Sequence, residues 1–132
     1  MKETILKFGY PKTLLKEFEY WVVLLRSAQV TAGSMVLACK ESAESLAEVT
    51  PDAYQELSSV TQEVEQTLKS AFNMEKINYL ALMMEDKHMH FHVIPRYSSV
   101  RKLGSTIIKD KNWPEPPDVL SAHNLSESEF DD

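Results

Sequence analysis

The connection between two apolar, β-prone segments in the second half of the chain most constrains the fold. Residues 77–83 read INYLALM and residues 88–94 read HMHFHVI, with a short polar link between them. A parallel pair would need a crossover of a dozen or more residues, so the two segments are expected to form an antiparallel hairpin. The chain is therefore predicted to contain an antiparallel sheet.

Upstream segments predict a second strand pair and one long helix. Apolar runs at residues 20–25 and 34–39 flank a polar connector that contains glycine, which indicates two more strands. Thr50 and Pro51 form a helix start signal, a hydroxyl cap followed by proline at the first helical position. Apolar residues then recur at spacings of three and four over residues 51–72. The predicted fold class is α+β, an antiparallel meander that carries one long helix.

Length and composition predict one domain followed by an arm. The 132 residues are 43% hydrophobic and 26% charged, close to the averages of globular proteins. Residues 1–97 are assigned to the domain. Residues 98–132, with several prolines and an acidic, serine-rich end, are predicted to form an extended arm with a disordered tip. Trp113 is the residue expected to attach this arm to the body or to a second subunit.

Charge and apolar runs narrow the class of partner and the compartment. The formal net charge is −6, but five of the acids lie in residues 118–132, so the body is nearly neutral and no nucleic-acid-binding face is expected. The apolar run at residues 21–25 is far shorter than the roughly 20 residues of a membrane-spanning helix. The single cysteine, Cys39, lies in an apolar run and is predicted to be buried and inert. A cytoplasmic protein with a small-molecule partner and no membrane association is expected.

Three histidines alternate along the second strand of the predicted hairpin. In an extended strand alternate side chains share a face, so His88, His90 and His92 are expected to project together. Met89 and Phe91 would project the other way, into the core. Three imidazoles in register are rare as a mere surface covering, because each ring needs a hydrogen-bond partner or water. The row therefore indicates a chemical site.

A metal site is one alternative for this row. Imidazole is a common zinc and copper ligand. A rise of about 3.3 Å per residue, however, separates the first and third Cα atoms by about 13 Å and keeps the three nearly collinear. A tetrahedral zinc site would thus need two of the histidines and a ligand distant in sequence. A metal-binding protein stays open as the lower-ranked alternative.

Phosphate chemistry is the other use of such a row. A neutral imidazole can attack phosphorus while neighbouring imidazoles donate hydrogen bonds to the oxygens that gain negative charge. Imidazoles about 7 Å apart along a line match the extended shape of a polyphosphate chain.

The histidine pattern resembles the signature of the histidine triad (HIT) superfamily, in its hydrolase-type branch. HMHFHVI is followed by Pro95 and Arg96 as in that family, and VTAGSMVLAC at residues 30–39 is similar to the family's PGHxLV strand pair. The order of elements over residues 20–97 also follows the family layout. The resemblance implies a HIT-like fold and a nucleoside phosphate bound with its α-phosphate at the histidines.

The resemblance also implies roles for the three histidines. His90 would be the nucleophile that forms a nucleotidyl-imidazole, which water then hydrolyses, and His88 and His92 would position and stabilise the phosphoryl oxygens. The implied activity is hydrolysis of a dinucleoside polyphosphate or a nucleoside phosphoramidate. The family implies a homodimer and no tightly bound cofactor, although some members take their substrate as a magnesium complex.

Three positions differ from the family pattern. Ser34 replaces a further histidine and is expected either to donate to a phosphate oxygen or to close a turn. Arg26 stands where the family often has an Asn or Asp that meets the ribose, and is expected to contact ribose or phosphate, or to form a surface salt bridge. Residues 84–87 lack the family's Gly-Gln-Ser or Gly-Gln-Thr stretch, so no acid for the leaving group is identified. That gap keeps open a nucleotide-binding sensor or scaffold without catalysis.

Overall fold

The computed structural model describes residues 3–120 and the backbone of residues 123–124. The helices are α1 (Glu3–Lys7) and α2 (Pro51–Phe72), with a 3₁₀ turn at Leu46–Glu48. The strands are β1 (Leu14–Glu17), β2 (Trp21–Leu25), β3 (Ala28–Gln29), β4 (Met35–Cys39), β5 (Lys76–Leu80), β6 (His90–Arg96), β7 (Arg101–Leu103), β8 (Thr106–Ile108) and β9 (His123–Asn124).

Five of these strands form one antiparallel sheet in the order β1-β2-β4-β6-β5. The two predicted strand pairs are β2 with β4 and β5 with β6, and both are antiparallel. Pairing of β4 with β6 joins the two pairs into a continuous sheet. The prediction of an α+β fold with an antiparallel sheet and one long helix is confirmed.

Helix α2 has the bounds that the sequence predicts. Thr50 is its cap, with a side-chain oxygen that accepts a hydrogen bond from the amide of Ala53, and Pro51 occupies the first position. Asn73 ends the helix in the left-handed conformation at φ 52°. Both ends are thus set by local signals.

The sheet has an apolar layer on each face. Alternation along β2 and β4 sends one set of side chains toward α2 and the other toward α1. The α2 side is the larger core, and its indole Trp21 also donates Nε1–H to the carbonyl of Ala53 at 2.8 Å. The smaller layer contains Ile5 from α1 together with four sheet residues, Val22, Leu24, Val36 and Ala38. Cys39 is fully buried on the α2 side, as predicted.

The strand bounds around the histidines differ from the prediction. Strand β5 ends at Leu80 and β6 begins at His90, so the connector runs over residues 81–89 and His88 lies outside the strand. The amide of Met89 donates to the carbonyl of Ala43 at 2.8 Å rather than to a neighbouring strand. A loop contact distant in sequence therefore fixes where β6 begins.

Residues 98–120 contain more local order than an extended arm. Strands β7 and β8 form a hairpin, and Asp110 is buried beside Arg96. The backbone of β9 pairs with β3. The predicted disordered tip lies outside the described residues.

Neither helix of the described chain combines the length and the hydrophobicity that a membrane crossing requires.

Candidate active site

His90 and His92 lie side by side on the sheet face that α1 covers. In the register of β6 with β4, His90 is opposite Ala38 and His92 is opposite Val36. Side chains of paired residues share a face, so both imidazoles join the smaller apolar layer. Their ring centroids are 5.1 Å apart at an interplanar angle of 81°. Two imidazoles thus form a compact pair against an apolar floor.

Phe8, just beyond α1, packs against both rings. Its centroid is 5.6 Å from that of His90 and 5.9 Å from that of His92, the latter in an edge-on arrangement. No secondary structure is predicted from the sequence for this segment. Its only signal is the spacing of three between the apolar Ile5 and Phe8, which fits one turn of helix. The N-terminal segment therefore supplies an aromatic wall that keeps water from the histidine pair.

The orientation of the His90 ring is set by a main-chain oxygen. Its Nδ1 lies 2.6 Å from the carbonyl oxygen of His88. A carbonyl can only accept, so Nδ1 carries the proton and donates it. In the neutral ring the lone pair then resides on Nε2. His90, which is 2% exposed, is held in the tautomer that a nucleophile at Nε2 requires.

His88 has a different position from the one predicted. Its Nε2 hydrogen-bonds to the carbonyl oxygen of Cys39. His88 lines a cavity of about 530 Å³ between α1 and the loops at residues 42–44 and 85–88. The expectation that the three side chains project together does not hold for His88, which lines this cavity while His90 and His92 line another, because the chain leaves the strand before residue 90. What His88 gives the histidine pair is its carbonyl oxygen.

His92 is neutral at pH 7 in this environment. Burial, the nearby positive charge of Arg26 and the neighbouring His90 together lower its pKa to about 4. Its Nδ1 is buried without a hydrogen-bond partner among the described residues. A buried polar atom of this kind is costly unless a ligand or water satisfies it.

Arg26 follows β2 and reaches the same pocket. Its Nη2 donates to the carbonyl of Val119 over a long 3.5 Å, and its Nη1 is buried with no partner in the described chain. Burial lowers the pKa of the guanidinium, which nevertheless stays protonated. No carboxylate of the described residues lies within ion-pair distance of it. Among the described residues, Arg26 is thus a cation without a carboxylate partner.

The pocket in front of the histidine pair has a volume of about 420 Å³, within the usual range for small-molecule sites. Lys7 and Asp86 stand at its side and form an ion pair at 2.9 Å. The remaining lining comes from the connector between β5 and β6 and from the arm: Leu82, Met83, Met84, Glu85, Val119 and Leu120. The arm therefore forms part of the pocket wall, a role that no sequence pattern predicted.

Ser34 lies away from this pocket in a tight turn. It is fully buried, and its Oγ donates to the carbonyl of Thr31 at 2.8 Å and accepts from the Thr31 amide at 3.0 Å. This geometry matches the second expectation for Ser34, a residue that closes a turn. Buried Gln29 stabilises the same turn through four hydrogen bonds of its side-chain amide.

Arg96 anchors the arm to the histidine strand. Alternation along β6 places it on the same face as His90 and His92. Its Nε donates to Oδ2 of Asp110 at 2.7 Å and its Nη2 to Oδ1 at 3.1 Å, while Nη2 also reaches the carbonyl of Glu115 at 2.6 Å. Both side chains of this pair are almost completely buried.

Within the described residues no three histidine, cysteine or carboxylate side chains are arranged to hold a metal ion.

Comparison with known proteins gives a family and a set of structural neighbours. The family model described as "HIT domain" matches residues 7–99. No curated protein sequence matches the chain. A histidine triad protein from Sinorhizobium meliloti is 25% identical with a TM-score of 0.75, covering 99% of this chain and 88% of that one. A histidine triad protein from Bradyrhizobium japonicum is 16% identical with a TM-score of 0.72, covering 99% and 89%.

A third neighbour is a hypothetical histidine triad nucleotide-binding protein from Sulfolobus tokodaii. It is 18% identical with a TM-score of 0.69, covering 97% of this chain and 82% of that one. The family match spans most of the chain and includes every residue of the histidine segment. The chain belongs to the HIT family, whose members support a nucleotide-binding or hydrolase-type function in general.

Proposed function

We propose that the protein hydrolyses a nucleoside phosphate through a covalent intermediate on His90. The observation that carries the proposal is the 2.6 Å hydrogen bond from His90 Nδ1 to the carbonyl of His88. It leaves Nε2 with the lone pair and fixes the direction of the ring. The tilted contact with Phe8 excludes water from one side of that ring, so the nucleophile is only lightly solvated.

The proposed reaction has two displacement steps. His90 Nε2 forms a bond to the α-phosphorus, and the bond from that phosphorus to the leaving group breaks, with its electron pair going to the leaving group. Water then attacks the nucleotidyl-imidazole, the phosphorus–nitrogen bond breaks, and one proton is released. The products are a nucleoside monophosphate, the leaving group and the free enzyme.

The neighbouring side chains supply electrostatic stabilisation in this proposal. Arg26 and His92 border the pocket beside His90, so the phosphoryl oxygens that gain charge would meet a guanidinium and an imidazole. His88 acts through its main chain, as the acceptor that orients the nucleophile. Ser34 is not included, because its hydroxyl is occupied within its own turn.

A nucleotide as the substrate is supported by family membership and by one structural neighbour. The Sulfolobus tokodaii relative is named a nucleotide-binding protein. The pocket volume of about 420 Å³ suits a ligand of that size. The family implies a homodimer and substrate-borne magnesium, and both remain proposals that sedimentation and activity in excess chelator would test.

The test is to trap the intermediate and to compare two single-histidine variants. Protein is incubated with a panel of labelled nucleoside phosphates and quenched in base, and the peptide that contains residues 88–94 is weighed by mass spectrometry. The wild type should gain the mass of one nucleoside monophosphate, and His90→Ala should not. His88→Ala keeps the main-chain oxygen that orients His90, so it should still form the adduct.

Two results would contradict the proposal. Equal turnover by His90→Ala and wild type would exclude His90 as nucleophile. Tight nucleotide binding with neither adduct nor turnover across the panel would favour the alternative of a non-catalytic binding module.

A further inference from the structure

We propose that Arg26 makes this site selective for nucleoside phosphates whose leaving group is itself an anionic phosphate. The inference deepens the proposed function and rests on it. Arg26 would bind the oxygens of the departing phosphate and neutralise the charge that it carries away.

The first support is that Arg26, unlike the two other cations considered, has no carboxylate partner among the described residues. Lys7, the other described cation at this pocket, is held by both oxygens of Asp86 at 2.9 and 3.1 Å. Arg96, on the same sheet face, is bound by the carboxylate of Asp110. Arg26 instead has one long bond to a carbonyl and one buried nitrogen with no acceptor. An anion is the ligand that would satisfy it, because guanidinium binds phosphate through a forked pair of hydrogen bonds.

The second support is the position of Arg26 relative to the reacting group. Arg26 lines the same pocket as His90 and His92, and its charge is close enough to disfavour a proton on His92. A phosphate bound by Arg26 would therefore be next to the α-phosphate that His90 attacks. The long 3.5 Å bond to the Val119 carbonyl is weak and can be exchanged for a phosphate oxygen.

The third support comes from what the described pocket residues can donate. An amine leaving group must take up a proton as its bond to phosphorus breaks, whereas a phosphate leaves as an anion and needs neutralisation instead. The Nδ1 proton of His90 is engaged by the His88 carbonyl, and His92 is neutral. Lys7 and Asp86 form an ion pair with each other. The hydrogen bond to Asp86 raises the pKa of Lys7, so Lys7 gives up its proton less readily. Glu85 also lines the pocket, but it is exposed to solvent, whereas a buried nitrogen of Arg26 has no acceptor among the described residues. The pocket thus offers a departing phosphate a buried cationic donor.

The bond changes follow those of the first displacement step. His90 Nε2 bonds to the α-phosphorus, the bridging oxygen keeps the electron pair, and the departing phosphate chain carries one more negative charge than before. Arg26 meets that charge without a proton transfer. The position departs from the family, where an Asn or Asp that meets the ribose is common.

The experiment compares two substrates with the same nucleoside. One carries a phosphate chain as the leaving group and the other carries a neutral amine. The ratio of their kcat/KM values is measured for wild type, Arg26→Gln and Arg26→Lys. Arg26→Gln should lower the ratio, phosphate over amine, by about 10²-fold, the size of effect expected for one lost charge-stabilising donor. Arg26→Lys should lower this ratio less, because a lysine keeps the positive charge and loses only the forked pair of donors.

A binding measurement keeps the inference separate from the proposed function. Inorganic pyrophosphate should bind wild type in calorimetry and bind Arg26→Gln at least about tenfold more weakly. If wild type turns over neither substrate, the proposed hydrolysis fails, and pyrophosphate binding still decides the role of Arg26. Circular dichroism checks that each variant is folded. If Arg26→Gln does not fold, Arg26→Lys provides both readouts.

Two outcomes would overturn the assignment of Arg26. One is an unchanged substrate ratio in a folded variant. The other is equal pyrophosphate affinity in wild type and Arg26→Gln.

Discussion

His90 donates its Nδ1 proton to the main-chain oxygen of His88, two residues earlier, across 2.6 Å. The nearby His88 ring carries its proton on the other nitrogen. Its Nε2 faces the carbonyl of Cys39, which can only accept, so Nε2 is the protonated atom. Two histidines separated by one residue are thus predicted to hold different tautomers.

Long-range ¹H–¹⁵N spectra of the protein at about pH 8 check this first prediction. His90 should show the pattern of the Nδ1–H tautomer and His88 that of the Nε2–H tautomer. The same tautomer at both positions would contradict the geometry. The His90→Ala and His88→Ala variants assign the two signals.

Lowering the pH is predicted to destabilise the fold through His92. Its folded pKa of about 4 is below the value of 6.5 for an unperturbed histidine, so the unfolded chain binds more protons between those two pH values. Stability from this group is therefore complete above pH 6.5 and is lost as the pH falls toward 4. Solvent reaches part of this ring and screens its interactions, so the loss is about 1 to 3 kcal/mol, less than full conversion at 1.36 kcal/mol for each pKa unit would give.

Urea unfolding at a series of pH values measures this second effect. His92→Gln, which does not titrate, should flatten the dependence between pH 6.5 and 4. Phe8→Ala should raise the pKa of His92 by admitting water to the ring. An unchanged pH slope in His92→Gln would show that other groups cause it.

Replacing one partner of the ion pair between Arg96 and Asp110 is predicted to lower the free energy of unfolding more than replacing both partners together. Arg96→Met leaves a buried carboxylate, and Asp110→Asn leaves a buried guanidinium with a poorer partner. Each single change should lower the free energy of unfolding by about 3 kcal/mol or more, the range for an orphaned buried charge. The double variant should lose less than the sum of the two. Urea titrations of the four proteins form the cycle, and additive losses would contradict a direct pair.

The Gln29 side chain is predicted to hold the turn that positions Arg26. Its Oε1 accepts from the amides of Gly33 at 2.8 Å and Ser34 at 3.1 Å, and its Nε2 donates to the carbonyls of Arg26 at 2.6 Å and Ser34 at 2.8 Å. Gln29→Leu leaves these buried groups unsatisfied and should cost about 3 kcal/mol.

Gln29→Glu is the matched control for this fourth prediction. It keeps both acceptor bonds but places a carboxylate oxygen against two carbonyls, so it should also destabilise the protein. Both variants should bind pyrophosphate more weakly than wild type if the turn orients Arg26. Wild-type stability in Gln29→Leu would show that water replaces the amide.

Local signals explain which parts of the fold the sequence could predict. Helix α2 was predicted to the residue because Thr50 and Pro51 at its start act within one turn of the chain. The start of β6 was misplaced because it depends on the bond from Met89 to Ala43, which pattern and propensity do not contain. Strand alternation still placed His90 and His92 together correctly.

Sequence patterns could not predict which residues form the walls of the pocket. Phe8 follows a helix of only five residues, and its contact with the histidines exists because the sheet offers an apolar face there. Val119 and Leu120 line the pocket, and Arg96 attaches the segment before them to β6 through Asp110 and the carbonyl of Glu115. Such placements follow from tertiary contacts between distant segments.

Strand β6 carries both His90 and, through Arg96, the attachment of the segment that borders the pocket. A displacement of β6 would therefore move the His90 ring and the Val119 side of the pocket together. The Phe8 side belongs to a different segment, so the distance between these two sides depends on how α1 packs on the sheet.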